Sequence, residues 1–131
     1  KGGNYLLNVG PTPEGTFENT AYERLAEIGA WMRLNGEGIY DTRQHSVFGQ
    51  GDHLRFTSSK DSRTVFVFAL EWPGDILRLP DIDIAGDSEI ALLGHEEPLE
   101  WVQDGDGLHV ALSDSMRNVS NYAWTFRVRQ R

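Results

Sequence analysis

The sequence predicts a mainly β protein, an antiparallel β-sandwich preceded by one strand-loop-helix unit. From Leu54 onward, apolar residues recur with period two in short runs separated by turn-forming residues, the pattern of strands with one buried face. Between Asn19 and Leu34 the period is helical instead. Ahead of that helix, Tyr5-Leu6-Leu7-Asn8-Val9 is a nearly continuous apolar run, as in a strand covered on both faces. At 131 residues the chain is long enough for one ordinary core.

The first loop, Gly10-Pro11-Thr12-Pro13-Glu14-Gly15, holds two prolines flanked by glycines and can continue neither helix nor sheet. In the helix, Ala21, Leu25, Ile28 and Met32 form a stripe widened by Tyr22, Gly29 and Trp31, while Glu23, Arg24, Glu27 and Arg33 take the other face. Thr16 or Asn19 is suited to cap its start, and Asn35-Gly36 to stop it in a left-handed turn. A polar connection, Tyr40 to Gly51, leads into strands expected at Leu54–Thr57, Thr64–Leu70, Ile76–Leu79, Glu89–Leu93, Leu99–Val102, Leu108–Leu112 and Tyr122–Val128. Ser59–Ser62, Pro73-Gly74-Asp75 and Asp104–Gly107 read as hairpin turns between them. Seven short strands without intervening helices give a sandwich. The leading βα unit by itself has no sheet to join, and such units are stable only within a larger α/β assembly.

Composition excludes several function classes. Twelve basic against twenty acidic residues give a net charge of −8, which repels phosphate backbones and anionic membrane surfaces, so neither nucleic acid nor membrane is expected as a partner. With no cysteine there is no disulfide and no thiolate metal site. No run reaches membrane-spanning length, and Lys1-Gly2-Gly3 is not a signal peptide; a targeting segment, if the natural protein has one, is expected upstream. The compartment stays open between an extracytoplasmic location and a bacterial cytoplasm.

The motifs that could carry chemistry are sparse. Asp81-Ile82-Asp83-Ile84-Ala85-Gly86-Asp87 has the alternation of a half-buried edge strand and lacks the third ligand and terminal glutamate of a calcium loop. Glu96-Glu97 and Asp104/Asp106 are adjacent or on turns, unlike the opposed carboxylates of a glycosidase. His45, His53, His95 and His109 are scattered without metal-ligand spacing, and no metal is expected. Neither a Gly-x-Ser-x-Gly elbow nor a phosphate-binding Gly-x-x-x-x-Gly-Lys loop is present. Trp31, Trp72, Trp101 and Trp124 fit core positions better than sugar-stacking platforms, because each lies within or at the end of an expected element. Asn118-Val119-Ser120 is a glycosylation sequon, meaningful only in a eukaryotic secretory protein.

One resemblance is more specific than any of these. Gly3 to Pro11, Gly15-Thr16, Glu23-Arg24-Leu25, Gly29-Ala30-Trp31 and Asn35 to Tyr40 occur in the order seen in α-L-fucosidases of glycoside hydrolase family 29, where the last barrel strand reads Gly-Asn-Leu-Leu-Leu-Asn-Val-Gly-Pro; Tyr5 stands here for a leucine. "LEWP" (Leu70 to Pro73) and "LLGHEEPLEW" (Leu92 to Trp101) are similar to that family's C-terminal β-sandwich. The resemblance implies that residues 1–42 are the last strand and helix of a catalytic (β/α) barrel and that 43–131 form the C-terminal β-sandwich domain. It further implies a retaining exo-glycosidase acting on terminal α-L-fucose, without cofactor, whose aspartate nucleophile and acid/base carboxylate lie upstream of every matched residue. No catalytic residue is therefore carried over. Asn8 and the Gly10–Glu14 loop would stand near the active-site mouth, at the C-terminal end of a barrel strand; the alternative is that Asn8 and Pro11 only shape the turn. The expected partners are a fucosylated glycan through the complete enzyme, the remainder of the barrel, and a second copy in a homo-oligomer, since the helix stripe and the strand edge need cover. The rival reading is a stand-alone carbohydrate-binding or structural/assembly sandwich without catalysis.

Overall fold

The computed structural model describes residues 2–129. Helix α1 spans Asn19–Asn35 and runs directly into a 3₁₀ turn, Gly36–Gly38. Eight strands follow: β1 (Thr42–Gln50), β2 (Leu54–Ser59), β3 (Thr64–Ala69), β4 (Ile76–Leu79), β5 (Ile90–Leu92), β6 (Trp101–Asp104), β7 (Gly107–Ala111) and β8 (Trp124–Arg129). A second 3₁₀ segment, Asp114–Val119, lies between β7 and β8. The strands form a five-stranded sheet, β1-β2-β3-β8-β5, and a three-stranded sheet, β4-β7-β6, antiparallel throughout.

The sandwich core is the alternate residues of both sheets. Phe56, Val65, Val67, Phe126, Val128, Ile90 and Leu92 from the larger sheet form one cluster with Leu77, Leu79, Leu108 and Val110 from the smaller. Ile82 and Ile84 join that cluster as the alternation required. Yet Asp81 to Asp87 is a loop and not an edge strand: Gln103 accepts the Ile84 amide at 3.1 Å and also bonds Asp83, so side chains hold the segment against β6.

β3 is buried on both faces. Val65, Val67 and Ala69 point into the sandwich, while Phe66 and Phe68 line the outer face beside Thr125 and Arg127 of β8. The end of α1 and its 3₁₀ turn cover this outer face. The Trp31 ring lies 6.4 Å from Phe68, its indole N–H donates to the Ala123 carbonyl at 3.0 Å, and the Thr57 hydroxyl donates to the Gly38 carbonyl at 2.7 Å. Arg127 reaches Glu37 at 3.2 Å and Glu89 at 3.4 Å. Two buried phenylalanines are worth about 1.5–3 kcal/mol each, against at most about 1 kcal/mol for a partly exposed ion pair. Apolar burial therefore holds the helix to the sheet, and Arg127 sets its orientation.

Several expectations are corrected. Residues 5–9 form no strand; Tyr5 is 86% and Leu6 90% exposed, because no described strand lies beside them to pair with. The Tyr40–Gly51 connection contains β1, whose mostly exposed side chains hide its period. The helix begins after Glu18 with no side-chain cap; Thr16 instead meets the Thr12 hydroxyl at 3.0 Å. Gly36 has φ −60° and continues the helical path, so the left-handed residue is Asp41, at φ 58°. Pro73-Gly74-Asp75 makes no hairpin, since it carries the chain from one sheet to the other. The remaining strands and the β2–β3 and β6–β7 hairpins stand where the alternation placed them, within a few residues at the ends.

β1 carries a bulge in which His45 to Phe48 face the single residue Phe56. His45 turns inward there, with Nδ1 2.7 Å from the Ser58 hydroxyl and its ring edge-on to Phe56. Burial pushes its pKa below the ordinary imidazole value.

Two outcomes are expected. A Cβ at position 38 would lie 2.8 Å from the Phe68 ring and 3.1 Å from Thr125 Cγ2, so Gly38→Ala should cost about 1–3 kcal/mol in urea denaturation. Because His45 is harder to protonate folded than unfolded, its stabilising contribution is fully present above the unfolded pKa of about 6.5 and declines as pH falls toward the lower folded value. Comparing urea midpoints at about pH 7.5 and about pH 5.5, His45→Asn should show a smaller acid-side loss than the parent sequence; equal losses would show that His45 titrates alike in both states.

Candidate functional site

Among the described residues a broad cleft and an apolar surface stand out. The cleft, about 1070 Å³, runs along the outer side of β6 and is lined by Trp101, Glu100, Asp104 and His109 together with Asp87 and Ser88 of the facing loop. Its walls are tied by internal bonds. The Trp101 indole N–H donates to the Ser88 carbonyl at 3.1 Å. Arg78 donates to His109 Nδ1 at 2.9 Å, which places the imidazole proton on Nε2, 3.3 Å from the Asp104 carboxylate.

Asp104 also accepts the Asp106 amide at 2.8 Å, and that bond, followed by His109, holds its carboxyl below the usual range. Asp41, beside Lys60, and Asp61, bonded by the Ser59 hydroxyl and the Arg63 amide, are lowered likewise. A lowered carboxyl stays ionised at neutral pH, the reverse of what a general acid requires. Glu96 and Glu97 are exposed and line none of the clefts described here. Among the described residues no three His, Asp or Glu side chains converge as a metal site. The four histidines are separate: His45 in the β1 bulge, His53 beside Glu71 at 3.3 Å, His109 on β7, and His95 in the turn after β5.

The tryptophans are structural. Trp31, Trp101 and Trp124 each donate their indole N–H to a backbone carbonyl, of Ala123, Ser88 and Arg117 respectively. Trp72 packs edge-on against Trp124 at 5.3 Å and touches the core. None forms a free-standing aromatic platform. Asn8 is exposed in an irregular segment, brought near no described carboxylate cleft, and the Gly10–Glu14 loop closes on itself through the Gly15 amide to Thr12 carbonyl bond of 2.9 Å.

The apolar surface belongs to α1. Tyr22, Leu25 and Ile28 are 52%, 38% and 46% exposed, and a shallow hollow of about 360 Å³ lies between Ile28, Trp31, Tyr122 and Ala123. The stripe read from the sequence is thus only half used: its Trp31 end covers β3, and its Leu25 end faces solvent. Sequence reasoning passed over Arg127, and it read Asn35 and Gly38 only as a helix stop and part of a motif, not as packing residues. Asn35 is buried with its amide donating to the Trp31 carbonyl at 3.1 Å, and Gly38 lies so close to the sheet that a Cβ there would stand 2.8 Å from the Phe68 ring. The signal was the run Asn35-Gly36-Glu37-Gly38, too small to fill space and so suited to close contact.

Comparison with known proteins agrees with this architecture. Residues 49–129 match the α-L-fucosidase C-terminal domain family, and residues 1–37 match the α-L-fucosidase family. The plasma α-L-fucosidase of Homo sapiens is 37% identical over 118 residues, which is 85% of this chain and 25% of that protein. Mus musculus tissue α-L-fucosidase is 33% identical over 131 residues, 97% of this chain and 29% of the relative. A Thermotoga maritima α-fucosidase, solved with a mechanism-based inhibitor, superposes with a TM-score of 0.80 at 25% identity, over 95% of this chain and 30% of that one. The Bacteroides thetaiotaomicron GH29 α-L-fucosidase, at 19% identity and a TM-score of 0.71, shares the fold. The chain spans about a quarter of the length of the curated relatives it matches. With its C-terminal-domain match covering β2 to β8 and its helical piece matching the neighbouring family region, this chain belongs to the α-L-fucosidase family.

Proposed function

We propose that the chain is the C-terminal part of a retaining α-L-fucosidase that hydrolyses terminal α-L-fucose from glycoconjugates, with both catalytic carboxylates in polypeptide outside these residues. The observation that carries this reading is the pairing of a matched sandwich with a helix whose remaining apolar face, Tyr22, Leu25 and Ile28, is uncovered. A retaining glycosidase needs two carboxyl groups about 5 Å apart across the sugar, one of them with a raised pKa. The lowered, internally bonded Asp104 does not fit that role.

In this account residues 1–42 are the last strand and helix of the catalytic barrel, and 43–131 are the sandwich that braces it. The family matches, ending at 37 and resuming at 49, support a division near Thr42, where β1 begins. Residues 5–9 pair as a strand only within the completed barrel, and Asn8 with the Gly10–Glu14 loop then stands at its mouth. The rest of the barrel covers the Leu25 face; without it, that face favours association with a second copy.

This account has two consequences. The isolated chain should release no product from an aryl α-L-fucoside above a buffer blank, whereas the full-length parent should; turnover by the chain alone, abolished by a carboxylate substitution within it, would overturn the reading. Leu25→Asp should change the isolated chain's stability by no more than about 0.5 kcal/mol, but should destabilise the full-length parent by about 2–5 kcal/mol, since there it places a charge in a packed interface. Equal small effects in both would mean that the barrel does not cover α1.

A further inference from the structure

Asn118-Val119-Ser120 occupies the end of the 3₁₀ segment Asp114–Val119, and its surroundings separate two kinds of residue. Those on either side of Asn118 are anchored from within. Met116 and Val119 pack against the inter-sheet core, and Trp124 donates its indole N–H to the Arg117 carbonyl at 3.0 Å. Val119 also presses on Gly94, where φ is 89° and a Cβ would stand 2.8 Å from Val119 Cγ1. Asn118 itself is exposed. A group added to its amide displaces no core atom, and the anchored neighbours keep the backbone in place beneath it. Beyond it the chain straightens: Ser120 is extended at φ −141° and ψ 154°, and its hydroxyl oxygen accepts the Tyr122 amide at 3.4 Å, a contact that leaves the hydroxyl proton available.

We propose that Asn118 is a modification site, the acceptor of an asparagine-linked glycan attached in a eukaryotic secretory compartment, the one setting in which this sequon is read. The middle residue is valine, so the proline that would block the sequon is absent. In the transfer, the Asn118 amide nitrogen displaces diphosphate at the anomeric carbon of a lipid-linked oligosaccharide. The N–C bond forms as the C–O bond to diphosphate breaks, the lipid diphosphate leaves, and the amide proton passes to a base on the transferase; the Ser120 hydroxyl completes the recognised triplet. No oxidant or reductant takes part. The sugar stands four residues from Tyr122, which lines the hollow beside α1 and is 57% exposed, so a bulky hydrophilic chain borders the apolar surface. The inference is independent of the fucosidase activity.

The test is mass spectrometry of the protein isolated from its own source, digested and treated with an N-glycosidase in heavy-oxygen water. Heavy-labelled aspartate at position 118 is expected; recovery of the peptide solely with unmodified asparagine would overturn the proposal. Secretion of the full chain from eukaryotic cells gives a second readout. One glycan, removed by the N-glycosidase, should be absent in Asn118→Gln and Ser120→Ala and retained in Ser120→Thr. A secreted parent chain with no glycosidase-sensitive shift, or one that Asn118→Gln leaves unchanged, counts against the site.

Discussion

β3 offers apolar side chains to both sides of its sheet, and the rest of the architecture follows from the need to cover both. Inside, Val65, Val67 and Ala69 meet the smaller sheet; outside, Phe66 and Phe68 meet the end of α1. A sandwich alone leaves the outer phenylalanines in water, and a helix alone leaves the inner valines there. The helical piece and the strands are therefore one folding problem, even though they match two different family regions. The boundary between the two matched regions does not divide the core.

The seam also explains the glycines and the asparagine at the helix end. Backbone must approach Phe68 and Thr125 closely, and a side chain at position 38 would occupy space those residues already fill. Asn35 turns its amide back to the Trp31 carbonyl, which fixes the last helical turn beneath the indole that seals the joint. Arg127 then spans Glu37 and Glu89, tying the turn to β8 and to the segment entering β5 with a geometry that packing alone would not select.

How much of this was legible depended on whether a residue's burial is set locally. β3, β4, β7 and β8 were readable because their alternation faces a core within the same chain. β1 was not, because an edge strand with a bulge and exposed side chains has no apolar period to read. The run Tyr5 to Val9 reads as a buried strand but is irregular and mostly exposed, since no described strand lies beside it. The helix start failed for a different reason: the Thr16 hydroxyl was taken by Thr12, a local competitor invisible to a spacing rule. Of the residues singled out, the tryptophans were readable as core positions because each lies within or at the end of a periodic element, whereas Gly38 and Arg127 matter through contacts some thirty to ninety residues away in the chain.

The bulge in β1 bears on how this molecule coexists with copies of itself. β1 is one of the two edge strands of the larger sheet, and a straight edge strand is a template on which another chain can add hydrogen bonds. Four residues set against one break that template in the middle, leaving only short ladder segments on either side. A deletion that restored regular register would lengthen the hydrogen-bonded ribbon and at the same time give a neighbouring molecule an unbroken edge to extend. The irregularity thus disfavours sheet growth across the β1 edge.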